Sequence, residues 1–266
     1  MTATDYAIGQ KIARSGLHLR TIDRRVKRYL RSAALDVVND FESVPGHLLV
    51  RARMHRPPPP SLGVEIGEFL YNARATLDYT ACELARYNGK EVDERVEYPI
   101  FLQREHFRNP TSGELTPAIR NRIGFLADSH REIIERQQPF QATDGSPSDD
   151  PLWLLYRLSN FDRHQFLHVV ATVTRESFQS FQPKRAGTRF AKVSAAYRQF
   201  GDGDEVARYR VLPGPSIDVR VETSVRFDIA FDEDSPVGGR SVVKTLASIG
   251  VRVGEIVRDF NWPTLR

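Results

Sequence analysis

Residues 217–231 read IDVRVETSVRFDIAF, and this stretch decides the class of fold. Ile217, Val219, Val221, Val225, Phe227, Ile229 and Phe231 all fall on odd positions, and only Thr223 interrupts them. A period of two describes a strand with one buried and one wet face, as in an antiparallel sheet. Working backward, VVATVTRES (169–177), RFAKVSAAY (189–197) and EVARYRVL (205–212) read as further strands. Asp202-Gly203 and Pro213-Gly214-Pro215 supply turns, and GDGDE (201–205) reads as a hairpin turn rather than a calcium loop. Forward of the stretch, Val242, Leu246, Ile249, Val253, Ile256 and Phe260 return to a helical rhythm over 241–260.

Upstream of residue 168 the period is that of helices. Ile8, Ile12, Leu19, Ile22, Val26, Tyr29, Ala33 and Val37 predict a long amphipathic helix, with a candidate break at Ser15-Gly16 and an end at Pro45-Gly46. HLLVRARMH (47–55) alternates Leu48, Val50, Ala52 and Met54 with Arg51, Arg53 and His55, a short strand with a basic face. Pro57–Pro60 form a stiff spacer. Ile66, Leu70, Ala73, Leu77, Ala81 and Leu84 place a helix over 64–87, stopped by Asn88-Gly89. EYPIF (97–101) is extended, a helix runs from about Pro117 to Arg136, and Asp150-Pro151 begin another with the aspartate as N-cap. Helices, then strands, then a closing helix predict an α+β protein. Its helical region is 1–168, and 169–266 form a small antiparallel sheet covered by the C-terminal helix.

Composition narrows the function. The 266 residues carry a net charge of +4, and residues 1–31 alone hold eight Lys or Arg against two Asp. That is +6 on the first helix and −2 on the rest. Arg24, Arg25, Lys27 and Arg28, with Arg51 and Arg53, are the candidate phosphate contacts; the competing reading is a solvated face. One cysteine, Cys82, allows no internal disulfide and fits a reducing cytoplasm. No apolar run is long enough for a membrane span, and no apolar leader opens the chain. P-loop, Rossmann and nucleophile-elbow motifs are missing, which disfavours P-loop nucleotide hydrolysis, Rossmann dinucleotide binding and α/β-hydrolase chemistry; no cofactor is expected, and no metal, since nothing completes a site around His164 and His168.

The helix from Pro151 carries the chemistry-bearing residues. If it continues to His168, Trp153, Arg157, Asn160, His164 and His168 share a sector about 80° wide. Arg157, Asn160 and His164 are the candidate catalytic set: a guanidinium fork for an oxyanion, an amide to orient a hydroxyl, and an imidazole that moves a proton near neutral pH. The same residues could instead satisfy buried carbonyls. One turn apart on the 64–87 helix, Arg74 and Asp78 form either an orienting pair or an internal salt bridge.

Gly67-Glu68 with YNARATLDY (71–79), YPIF (98–101), QQPF (137–140) and LSNFDRH (158–164) resemble the motifs of a widespread bacterial family of uncharacterised proteins, over roughly residues 62–170. That resemblance singles out Asn72, Arg74, Asp78, Asn160, Asp162, Arg163 and His164, and implies an outline without a reaction. A second resemblance is to HEPN helical domains, many of them metal-independent RNases with an Arg, four to six residues, then a His. Six residues separate Arg157 from His164, although Leu158 stands where a polar residue usually follows the Arg. That likeness implies an endoribonuclease assembled as a homodimer. The alternative is a non-catalytic interaction or ligand-binding protein.

Overall fold

The computed structural model describes residues 3–41, 44–143, 145–174, 178–183, 189–196, 198–212 and 219–260. In chain order its elements are α1 (Ala3–Arg31), β1 (Leu35–Asp40), β2 (His47–Met54), α2 (Ser61–Tyr87), α3 (Arg104–Phe107), α4 (Pro117–Ile123), α5 (Asp128–Arg136), α6 (Pro151–Asp162), β3 (Val169–Val173), β4 (Phe178–Pro183), β5 (Arg189–Ala195), β6 (Glu205–Leu212), β7 (Val219–Ser224), β8 (Phe227–Phe231) and α7 (Val242–Asp259). The protein is α+β, with every strand pair antiparallel. No helix among the described residues is long and apolar enough to cross a membrane.

Two compact units divide the chain. The first takes the residues up to Ile22, Gly63–Leu167 and Val243 onward; the second takes Asp23–Leu62 and His168–Val242. The division expected at 168/169 lies next to one crossing point between them. Chain order alone did not group β1 and β2 with the later strands, although β2 pairs with β6, and α7 belongs to the first unit. Those groupings come from tertiary pairing.

In the first unit α2 buries Ile66, Phe69, Leu70, Ala73, Leu77 and Leu84 along one side, each large side chain contributing roughly 1.5–3 kcal/mol. Its buried hydroxyls stay satisfied: Thr76 donates to the Asn72 carbonyl and Thr80 to the Thr76 carbonyl, both at 2.8 Å. The expected stop holds, with Asn88 Nδ2 donating to the Leu84 carbonyl at 2.6 Å and Gly89 at a φ of 71°. Gly250 of α7 lies against the Phe69 ring, and Leu246, Ile249 and Ile256 are buried. The helix expected over 117–136 is two helices. Between them Ala127 N–H donates to Asn88 Oδ1 at 2.9 Å, and Arg131 caps the carbonyls of Gly124 and Leu126. α6 starts as expected, its Asp150 carboxylate accepting from the Leu152 amide at 2.7 Å. It ends at Asp162, and a turn follows in which His164 and Gln165 amides both donate to the Phe161 carbonyl.

In the second unit the strand order is β1-β2-β6-β5, beside a β3-β8 pair and a β4-β7 pair. The first helix stops short of the expected Val37. Ala33 adopts a left-handed φ of 51°, and Leu35–Asp40 turn back to pair with Leu49–Met54, a use that suits the β-branched Val37-Val38. No break occurs at Ser15-Gly16. β2 buries Leu48, Val50 and Ala52 as its alternation predicts. The stretch 217–231 is two strands: β7 pairs with β4 and β8 with β3. Ile229 and Phe231 are fully buried and Phe227 half-buried. Ile217 and the turn Pro213–Pro215 lie outside the described residues.

Candidate functional site

Three of the four motif stretches lock together within the first unit. Arg74 on α2 donates through Nε to Asp78 Oδ2 at 3.1 Å and through its terminal nitrogen to the Tyr98 carbonyl at 2.9 Å. Asp78 Oδ1 in turn accepts from the Tyr98 amide at 3.1 Å. Burial pushes the Asp78 carboxyl up from its ordinary value, with the Arg74 guanidinium pulling against it. The Tyr98 hydroxyl donates to Gln137 Oε1 at 2.7 Å. Gln138 donates to the Pro99 carbonyl and accepts from the Phe101 amide, and Arg252 of α7 donates to the Gln137 carbonyl. The Tyr98 amide and carbonyl, the Pro99 carbonyl and the Phe101 amide of the extended YPIF segment are thus each paired by a side chain. Arg74 and Asp78 therefore hold a loop in place, the internal salt bridge among the two readings of that pair.

The fourth stretch borders an open cleft of about 1160 Å³ in the same unit. α1 contributes Tyr6, Gln10, Lys11, Arg14 and His18, spaced by threes and fours, which puts them on one helix face. α2 contributes Gly63, Gly67, Glu68, Tyr71 and Asn72 with the same spacing, and the turn after α6 contributes Asp162, His164 and Phe166. Two glycines let that turn approach α2. A Cβ at residue 63 would stand 2.3 Å from the Leu167 carbonyl oxygen, and one at 67 would stand 2.6 Å from Asp162 Oδ2. With the Asp162 carboxylate in this position, a side chain at residue 67 would force it to shift.

The cleft is chemically equipped. His18 Nδ1 lies 3.3 Å from Glu68 Oε2, so the carboxylate fixes the ring and leaves Nε2 for another partner. The buried Asn72 amide donates to the Glu68 carbonyl at 2.7 Å. Burial pushes the Asp162 carboxyl up from its ordinary value, and its place in the last turn of α6, where carbonyls point outward, opposes ionisation as well. Lys11 Nζ sits 4.5 Å above the Tyr71 ring centre. Tyr6, Tyr71 and Phe166 leave 56%, 65% and 43% of their surface exposed, a cluster of uncovered rings of the kind that marks a binding surface. Two imidazoles, two cations, two carboxylates and these rings can bind an anion bearing flat groups and move protons on it.

The residues singled out from sequence are dispersed differently from the helical projection, because α6 stops at Asp162 rather than running to His168. His164 is exposed in the cleft, and Asp162 and Asn72 line it too. Asn160 and Arg163 line a separate cavity with Arg74. Arg157 is exposed and lines neither. The expected triad of Arg157, Asn160 and His164 is thus not brought onto one concave surface. The candidate phosphate contacts all lie in the second unit. There Arg51 pairs with Asp40 at 3.0 Å, Arg53 with Asp202 at 3.7 Å and Lys27 with Asp23 at 2.7 Å; Arg25 donates to Ser61, while Arg24 and Arg28 are exposed or half-buried on α1. His18 did not stand out in the sequence, Lys11 and Arg14 counted only toward the basic charge of the first helix, and Glu68 only as part of a quoted motif. Their signal was the polar stripe at helical spacing beside the apolar one. Among the described residues no three His, Cys, Asp or Glu side chains are grouped to hold a metal ion. Comparison of the chain with family models, with curated proteins and with solved structures finds no match.

Proposed function

We propose that the first unit binds single-stranded RNA in this cleft and cleaves it without a metal. His164 takes the proton of a ribose 2′-hydroxyl, whose oxygen attacks the adjacent phosphorus. The P–O5′ bond breaks, and His18, oriented by Glu68, gives its proton to the departing O5′. The products are a 2′,3′-cyclic phosphate and a 5′-hydroxyl end. Lys11 and Arg14 offset the charge that builds on the phosphoryl oxygens, and Tyr6, Tyr71 and Phe166 offer stacking faces for bases. The observation that carries the reading is the meeting of two histidines, one held by a carboxylate, with two cations in one aromatic-lined cleft. RNA as partner, a homodimer and a cytoplasmic setting belong to the same proposal.

The test is incubation of the protein with a fluorogenic single-stranded RNA in EDTA, with end analysis of the fragments. Cleavage leaving cyclic phosphate ends is expected, and its loss by about 100-fold or more in His164→Ala. Intact RNA after prolonged incubation would overturn the catalytic reading. A second reading, ligand binding without catalysis, draws on the distance in placement between Arg157 or Asn160 and His164. It predicts RNA retention by the wild-type protein with no fragments.

A further inference from the structure

A second cavity, of about 510 Å³, lies in the first unit and plays no part in the cleft chemistry above. One wall is the Trp153–Tyr156 pair on α6, stacked with ring centres 5.0 Å apart and planes 20° from parallel. Asn160 and Arg163 continue that wall at the C-terminal end of α6, and the extended segment Tyr98–Gln103 with His106 and Arg122 forms the other side.

The charges are uneven. Arg122 and Arg74 both lean on Glu97, and Arg74 also holds Asp78. Arg163 has no carboxylate or carbonyl partner among the described residues and is exposed. Asn160 likewise uses none of its amide hydrogen-bonding capacity within the described residues.

Ser159 points to the same conclusion. It is more than nine-tenths buried, lines this cavity, and its hydroxyl has no partner. Hydroxyls inside helices of this unit normally fold back onto the carbonyl four residues earlier, as those of Ser15, Thr76 and Thr80 do. Ser159 does not, although leaving a buried hydroxyl unsatisfied costs free energy. A flat aromatic wall, an unused amide, a buried unused hydroxyl and an unpaired guanidinium at one end describe a site for a planar, hydrogen-bonding ring that carries an anion.

We propose that this second cavity binds a nucleoside monophosphate, with the base against Trp153 and Tyr156, Asn160 and the Ser159 hydroxyl on polar edges of the nucleoside, and Arg163 on the phosphate. The site stands independently of whether the first cleft cleaves RNA. It makes Asn160, expected from sequence to orient a substrate hydroxyl in the catalytic set, and Arg163 contacts for a separate ligand.

The chain has two tryptophans, Trp153 and Trp262, so a Trp262→Phe background leaves the site's own indole as reporter. Titration with AMP should quench its fluorescence saturably. Arg163→Gln should weaken that binding by about tenfold or more, and Asn160→Ala by a smaller factor. Arg163 is exposed and Asn160 lies part-exposed at the cavity wall, so a matching melting curve keeps the comparison fair. His18→Ala, in the other cleft, should leave the AMP affinity unchanged. The proposal falls if AMP gives no saturable quench at millimolar concentration, if Arg163→Gln leaves the affinity as it was, or if His18→Ala weakens it. Displacement of AMP by equimolar inorganic phosphate would overturn the nucleotide assignment, since a site that needs the base must prefer AMP.

Discussion

Two polar regions of the first unit lie on the same helix and behave in opposite ways. Around Arg74, Asp78 and Tyr98 side chains hydrogen-bond the Tyr98 amide, carbonyl and hydroxyl, and the result is a brace that fixes the YPIF segment. Around Glu68 and Asp162 polar groups and rings remain open to solvent or crowded against a glycine. Both regions carry residues of the same motif stretches. The difference teaches that shared motif residues divide into those spent on holding the chain and those left available for a ligand, and hydrogen-bond saturation tells the two apart.

Substitutions should sharpen this contrast. The largest loss of stability is expected at the brace. Arg74→Ala leaves a half-buried Asp78 carboxylate and the Tyr98 carbonyl without their partner, costing about 3 kcal/mol and lowering the melting temperature by roughly 6–12 °C. A thermal melt unchanged by this substitution would break the comparison. Gly67→Ala comes next. Its Cβ would collide with the Asp162 carboxylate, and the overpacking should cost about 1–2 kcal/mol even though alanine is the better helix former, with cleft chemistry lost as the turn shifts. The smallest effect is expected at Asp162 itself, and its sign is the informative part. Its carboxyl titrates above the ordinary value in the folded protein. The folded state therefore holds the proton more tightly than the unfolded chain, so stability is highest below the unfolded pKa and declines as pH rises through the folded one. Asp162→Asn should raise the melting temperature slightly at pH 7 and remove that decline. A lower melting temperature at pH 7 would show that the ionised carboxylate has a stabilising partner.

Much of the fold was legible because its elements bury one face at a regular period. α2, α6 and α7 follow from residues such as Leu70, Leu77 and Ile249 recurring every third or fourth position, and β2, β5 and β6 lie where the sequence alternates, although β5 buries neither face and Leu49 and Ala207 are buried out of phase. What failed was decided by contacts distant in sequence. Val37 fits the helical rhythm of α1, yet the left-handed Ala33 and pairing with Ala52 make it a strand residue. The break between α4 and α5 is held by Asn88, some forty residues away. Within the site, His164, Asp162 and Asn72 were reachable through the motifs. His18, Lys11 and Arg14 were not, because on an amphipathic helix a ligand-binding stripe and a solvated one have the same spacing. Arg157 was drawn in by a helix assumed to continue past Asp162 and by the Arg–His spacing of the HEPN likeness.

The central claim is that the chemistry resides in the cleft between α1, α2 and the turn after α6, and not on the face of α6 that bears Arg157. Metal-free RNA cleavage measured side by side for His18→Ala and Arg157→Ala tests it. The account predicts a fall of about 100-fold or more for His18→Ala and near wild-type rates for Arg157→Ala. Loss of cleavage in Arg157→Ala with full activity in His18→Ala would contradict it.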